Sequence, residues 1–134
     1  MAHFDMSEVK DLARDLAAVS RQVRPDSKDI VAESTRRIVR QWRRNAEETA
    51  LPHGRHYPKS IGYDGPTWTG MGWVAVAGPD AAMPQGGMGR GFEYGSINQD
   101  SPHLDGNRAA DGEEKAFSRA CERLGEQLLW SLIN

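Results

Sequence analysis

The amino-acid sequence predicts an α+β fold. Two features predict it: helical periodicity at both ends of the chain, and a middle stretch punctuated by glycine and proline in which apolar residues alternate. Two long helices of this kind cannot bury their apolar stripes alone. Packing together across one face of a small antiparallel sheet is the expected solution.

At the start, Val9, Leu12, Ala13, Leu16, Val19 and Val23 recur at steps of three and four, with Ser7 placed to cap the first turn. This predicts a short helix over 7–23, stopped at Arg24-Pro25-Asp26 because proline disfavours helical geometry in the residue before it. Ser27 or Asp29 then caps a long helix over 27–49, with a stripe of Ile30, Val31, Ser34, Ile38, Trp42 and Ala46, and with Thr35 and Val39 alongside. Arg36, Arg37, Arg40, Arg43 and Arg44 fill much of its remaining surface.

Residues 51–58 have no helical period, so the chain turns there. Strands are expected over 59–63 and 67–77, joined by a hairpin at Asp64-Gly65-Pro66. In the second, Trp68, Gly72, Val74 and Val76 face one way, and Thr69, Trp73 and Ala75 the other. Gly78-Pro79-Asp80 ends it, and the glycine- and methionine-rich segment 81–91 is expected to be a long mobile loop that orders on assembly. Phe92-Glu93-Tyr94-Gly95-Ser96 follows, and a third short strand or a helical turn is expected in the polar loop 97–111. A long C-terminal helix over 112–133 carries Ala116, Phe117, Ala120, Cys121, Leu124, Leu128 and Leu132 on one face, widened by Leu129 and Trp130.

With 134 residues the chain has the size of one domain, taken here as 1–134. Its formal charge of −2 gives no global attraction to nucleic acid or to an anionic membrane. The single cysteine, Cys121, has no intramolecular disulfide partner; a small buried apolar role and an intracellular folding environment are the expectations. The first ten residues contain no apolar run of signal-peptide length, and no stretch approaches the roughly 20 apolar residues of a membrane span.

Catalytic patterns are weak. His53 and His56 have a spacing that could chelate a metal, with His3, His103 or an acid completing the set, but a second ligand pair is missing and solvated loop histidines are the better reading. The run Gly86-Gly87-Met88-Gly89-Arg90-Gly91 lacks the Gly-Lys-Ser/Thr ending of a phosphate loop and is followed by Glu93, which would oppose an anion. Ser96 and Ser101, near His103 and Asp105, have no nucleophile-elbow sequence around them. Neither an enzyme nor a cofactor is therefore expected.

Binding patterns are stronger. Arg36, Arg40, Arg43 and Arg44 can line up along one side of a helix, as in a nucleic-acid footprint. Asp29, Glu33, Glu47 and Glu48 interrupt that field, so solvent or another subunit is the preferred neighbour over DNA. Trp68 and Trp73, on opposite faces of one strand, cannot both point inward, which places at least one at an interface or under the glycine-rich loop.

The order of elements from Val74 to Leu132 resembles the tail-component family of long-tailed bacteriophages, small tail-completion or neck proteins of the head–tail joint. Members carry a long helix, a strand ending near Val-Gly-Pro, a variable glycine-rich loop, Phe-Glu-Tyr/Phe-Gly-Ser/Thr, a proline-containing loop and a C-terminal amphipathic helix. Here these read Val76-Ala77-Gly78-Pro79, 81–91, Phe92-Glu93-Tyr94-Gly95-Ser96, Pro102-His103-Leu104 through Asn107-Arg108-Ala109-Ala110, and 112–133. The first half agrees only in its helices, and segments 103–106 and 55–61 depart from the family pattern.

The resemblance implies a structural virion protein at the head–tail joint, made in the bacterial cytoplasm. It would join a finished tail to a DNA-filled head as one copy in a ring, with sixfold symmetry expected from the way such tails are built. Its implied partners are itself, other neck proteins, and the tail tube or terminator, with DNA nearby in the channel and no membrane. The alternatives are the tail terminator or the head-completion stopper of the same joint, or a DNA-binding accessory module using the arginine-rich helix. The candidate interface residues are Arg36, Arg40, Arg43, Arg44, Trp68, Trp73, Met88, Arg90, Phe92, Glu93 and Tyr94. Phe92 and Tyr94 would fix the loop to the sheet, and Glu93 would meet an arginine from 36–44 of the same or the next subunit.

Overall fold

The structure is a computed structural model that describes residues 6–50, 52–95 and 103–133. It is mostly helical, with one two-stranded antiparallel sheet, and belongs to the α+β class. The long C-terminal helix packs against the long helix and the sheet.

The two expected N-terminal helices are one. Helix α1 runs unbroken from Met6 to Ala50, 45 residues with Pro25 inside it. A proline in a helix interior removes one backbone donor, here the one that would reach the carbonyl of Arg21, and costs about 3 kcal/mol. Side chains support the helix around this point. Ser27 Oγ and Trp73 Nε1 both donate to the Arg24 carbonyl, at 3.2 and 2.7 Å, and Gln22 Nε2 donates to the Asp26 carboxylate.

The core gathers around the C-terminal half of α1. Val39, Ala46 and Ala50 are buried on one face of it, and Tyr57, Ile61 and Phe92 close over them, with Trp42 and Ala77 packed at the edge. The Tyr57 and Phe92 rings stack with centroids 4.4 Å apart. Sealing such an aromatic side chain from water contributes about 2–3 kcal/mol. Gly54 lies in a one-turn 3₁₀ helix, Pro52–Gly54, where a Cβ would come within 2.8 Å of the Phe92 ring.

After the four-residue helix α2 (Tyr57–Ser60), strand β1 (Ile61–Trp68) pairs with β2 (Trp73–Pro79). The expected hairpin position was displaced. The turn is made by residues 69–72, where Thr69 N–H bonds the Gly72 carbonyl at 2.9 Å and Gly70 takes a φ of 94°. Asp64-Gly65-Pro66 instead forms an irregularity inside β1. Asp64 pairs with Val76 and Thr67 with Val74, so β1 carries one extra residue at the point where Pro66 has no N–H to offer. Along β2, Trp73, Ala75 and Ala77 are half-buried while Val74 and Val76 are exposed.

The segment 81–91 is organised into turns rather than left as an open loop. Asp80 anchors its start, with its carboxylate accepting from Ala82 N–H and its carbonyl from Met83 N–H. A 3₁₀ turn (Gly86–Met88) then leads into helix α3 (Gly89–Tyr94). Gly86 lies against the Asp80 carbonyl so closely that a Cβ would collide with it. The Phe-Glu-Tyr run is therefore helical. Of the strand or turn expected in 97–111, residues 97–102 lie outside the described residues, and from Asp105 the chain is already in helix α4 (Asp105–Ile133). That helix starts seven residues before the expected boundary. Gly106 and Gly112 weaken its helical signal in sequence, while buried contacts at Asp105, Gly106 and Ala109 hold it in place.

Beyond residue 112, α4 lies along α1 with only part of its stripe covered. Ala120, Leu124, Leu128 and Leu132 are half-buried, whereas Ala116, Phe117 and Cys121 are exposed. The buried role expected for Cys121 does not hold, because the α1–α4 seam passes beside it.

Candidate interface surfaces

Three arrangements organise the polar and aromatic residues: a buried joint, a cationic groove and an aromatic brace.

The joint is built where α1, α3 and the start of α4 meet. Asp105 is fully buried, and its carboxylate accepts from Thr49 Oγ1 at 2.8 Å and Arg108 Nη2 at 2.7 Å. Its backbone carbonyl accepts from Asn45 Nδ2 at 3.0 Å. Glu93 is also buried, and its Oε1 accepts from Gly106 N–H at 2.8 Å. That bond satisfies one of the free donors of a helix N-terminus and sets a carboxylate at its positive end. The expected arginine partner of Glu93 is thus replaced by a backbone amide. Two further backbone bonds, His103 N–H to Phe92 O and Leu104 N–H to Glu93 O, lock the Phe-Glu pair onto the entry to α4. Phe92 and Glu93, both expected at an interface, lie inside the fold.

Tyr57 sits over this joint. Its hydroxyl pKa is pushed from 10.0 to about 12, first by burial, with an opposing contribution from the neighbouring Trp42 indole and a further increase from the Glu93 and Asp105 carboxylates. Of the weak Ser-His-Asp grouping, Asp105 bonds Thr49 and Arg108 and has His103 Nδ1 at 3.9 Å, while Ser96 and Ser101 lie outside the described residues.

The groove runs between α1 and α4. Arg37, Arg40, Arg44 and Arg108 line a cleft of about 490 Å³, with Ala109, Gly112 and Glu113 from α4 on its other wall. Arg37 donates through Nε and Nη2 to Glu113 Oε1 at 2.8 and 2.7 Å, and Ser34 Oγ donates to the same oxygen at 2.9 Å. The bond to Glu113 raises the Arg37 pKa, burial opposes the rise, and the charges of Glu113 and Glu33 add to it. Among the described residues, no carboxylate lies within ion-pair distance of Arg40 or Arg44. Arg43 turns the other way and donates to the Ile61 carbonyl at 2.8 Å, tying α1 to β1, and Arg36 is exposed. Arg108 and Arg37 were not among the sequence candidates. Arg108 was missed because its position depends on α4 starting early.

The brace joins the hairpin tip to the middle of α1. Trp68 and Trp73 are opposite each other in the β register and so share a face, in an edge-on contact with centroids 5.2 Å apart. The Arg24 guanidinium lies 4.4 Å from the Trp68 ring centroid, and Lys28 Nζ lies 5.2 Å from that of Trp73. The two indoles were assigned to opposite faces of one strand. The turn at 69–72 puts them on separate strands, and both pack on α1.

Gln85 clamps the remaining loops, taking a bond from His56 N–H at 2.7 Å and giving one to the His53 carbonyl at 2.7 Å. His56 Nε2 accepts from Arg55 at 3.1 Å; among the described residues no three His, Cys, Asp or Glu side chains gather as a metal site, and His3 lies outside them. The Ala82 and Met83 amides bond Asp80, and the Gly86 and Met88 amides bond the Met83 and Gln85 carbonyls. Met88, Arg90 and Tyr94 are exposed on this side. No described helix is long and apolar enough to cross a membrane. No protein-family model, no curated protein and no solved structure matches the chain.

Proposed function

We propose that the chain is a structural subunit of the neck of a long-tailed bacteriophage, a ring-forming tail-completion protein that joins the tail to the DNA-filled head. The observation that carries the reading is the Phe92-Glu93-Tyr94-Gly95 element, the most specific part of the family resemblance, at the central joint of the fold. Phe92 fills the core, Glu93 holds the first turn of α4, and Tyr94 is left exposed, as are Arg90 and Met88. An element serving both the core and an exposed edge suits a subunit whose fold and contacts are built together.

The surface supports an assembly role in a second way. Val74 and Val76 on the hairpin and Phe117, Leu129 and Ile133 on α4 are all exposed, apolar side chains that a second chain could cover. The test is to purify tailed particles, detect the chain by mass spectrometry, and locate it with labelled antibody in the electron microscope. Label at the head–tail joint in a few copies per particle is the expected result. A chain made during infection but absent from particles would overturn the assignment.

A further inference from the structure

The first turns of α1 form a helical arm. Every described side chain from residue 7 to residue 18 is exposed, including Val9, Leu12 and Leu16 at 40%, 56% and 48%. Most helical stability in proteins comes from packing of an amphipathic face, and the apolar face of this arm is open for a partner to cover.

The arm carries two adjacent stripes. Val9, Leu12 and Leu16 form the apolar one, and Glu8, Asp11 and Asp15, one residue earlier on each turn, form an acidic one beside it. Asp11 pairs with Arg14 at 3.3 Å; Glu8 and Asp15 have no ion-pair partner among the described residues. The groove offers the complement. Arg37, Arg40 and Arg44 stand along α1 with Arg108 opposite, and Arg40 and Arg44 have no ion-pair partner among the described residues. Glu8 to Asp15 and Arg37 to Arg44 each span seven residues, about 10 Å along a helix. On the opposite wall, Ala109 and Gly112 are small enough to let a helix come close, and the arginine stems supply apolar surface for the leucines.

We infer that the arm of one copy docks in the arginine groove of a second copy. The arm cannot reach the groove of its own chain. Residues 8 and 37 belong to the same unbroken helix, about 43 Å apart at 1.5 Å per residue. Duplex phosphate could meet the same arginines but would leave the apolar stripe of the arm uncovered. Arm and groove are different surfaces, so the contact is head-to-tail, the kind that closes into a ring when the rotation allows. The inference deepens the ring-forming reading by naming the surfaces that meet.

Sedimentation velocity of the full chain tests it with two doubly reversed variants, Asp11→Lys with Asp15→Lys, and Arg40→Glu with Arg44→Glu. The wild type is expected to associate with rising concentration, and each variant to associate about a hundredfold more weakly with unchanged helicity. An equimolar mixture restores association, since the reversed arm of one variant meets the reversed groove of the other. A monomeric wild type, variants that associate normally, or a mixture that stays monomeric would each overturn the docking. A monomeric wild type that binds duplex DNA through Arg40 and Arg44, with the arm variant unaffected, would do so by making the groove a phosphate site. Particle labelling separates the two ideas: a labelled neck with unaffected variants refutes only the docking, and restored association in a chain absent from particles refutes only the neck reading.

Discussion

The two ends of α1 differ in what holds them. Around Val39, Ala46 and Ala50 the helix is buried against Tyr57, Ile61 and Phe92 and bonded through Asn45 and Thr49 to Asp105. At Val9, Leu12 and Leu16 the same helix presents similar apolar residues to solvent. Periodicity is alike at both ends, so an amphipathic stripe states only that a partner is needed. Whether that partner is intramolecular is decided by the elements that follow in the chain.

Substitutions should separate the ends sharply. Phe92→Ala removes the ring stacked on Tyr57 and is expected to cost about 3–5 kcal/mol in chemical denaturation. A smaller, reversible effect comes from alkali. Because the folded pKa of Tyr57 is raised from 10.0 to about 12, the folded state holds its proton where the unfolded state has lost it. The stabilisation is therefore complete below pH 10 and is lost as pH rises through 12, about 2–3 kcal/mol in all; Tyr57→Phe should flatten that part of a stability–pH curve.

Gly106→Ala is expected to cost about 1–3 kcal/mol, since the new Cβ would lie 2.6 Å from the Trp42 ring, offset in part by better helix propensity. A thermal-unfolding shift of a few degrees would report it. Leu12→Gln on the arm should change stability of the dilute monomer by less than about 0.5 kcal/mol. A larger loss at low concentration would mean that the arm is buried in the monomer after all, and the contrast between the ends would fail.

Much of this was legible from spacing alone. Helix periodicity marked Val39 and Ala46 on one side of α1 and the arginines on another, and it marked Leu124, Leu128 and Leu132 on α4. What misled was local punctuation overruled by distant contacts. Pro25 reads as a stop, yet its turn is supported by an indole that arrives from residue 73. Asp64-Gly65-Pro66 reads as a hairpin turn, yet the strand continues because Thr67 and Trp68 still find partners in β2. The joint was hidden for the same reason. Glu93 is a surface residue by composition, and only the early start of α4 puts a backbone amide where its carboxylate can be buried. The groove was half visible, through the arginines that share one helix face, while Arg108 needed the fold.

The unbroken course of α1 through Pro25 also makes the helix a register between core and arm. Each residue added between them turns the arm by about 100° and advances it about 1.5 Å, so inserting one residue near position 20 would swing the stripes away from their facing without touching either end. Seven inserted residues would bring them back to within about 20° of the original phase, displaced by about 10 Å. In an assembly of identical copies, direction and reach would then be tuned separately, by the remainder and by the number of whole heptads.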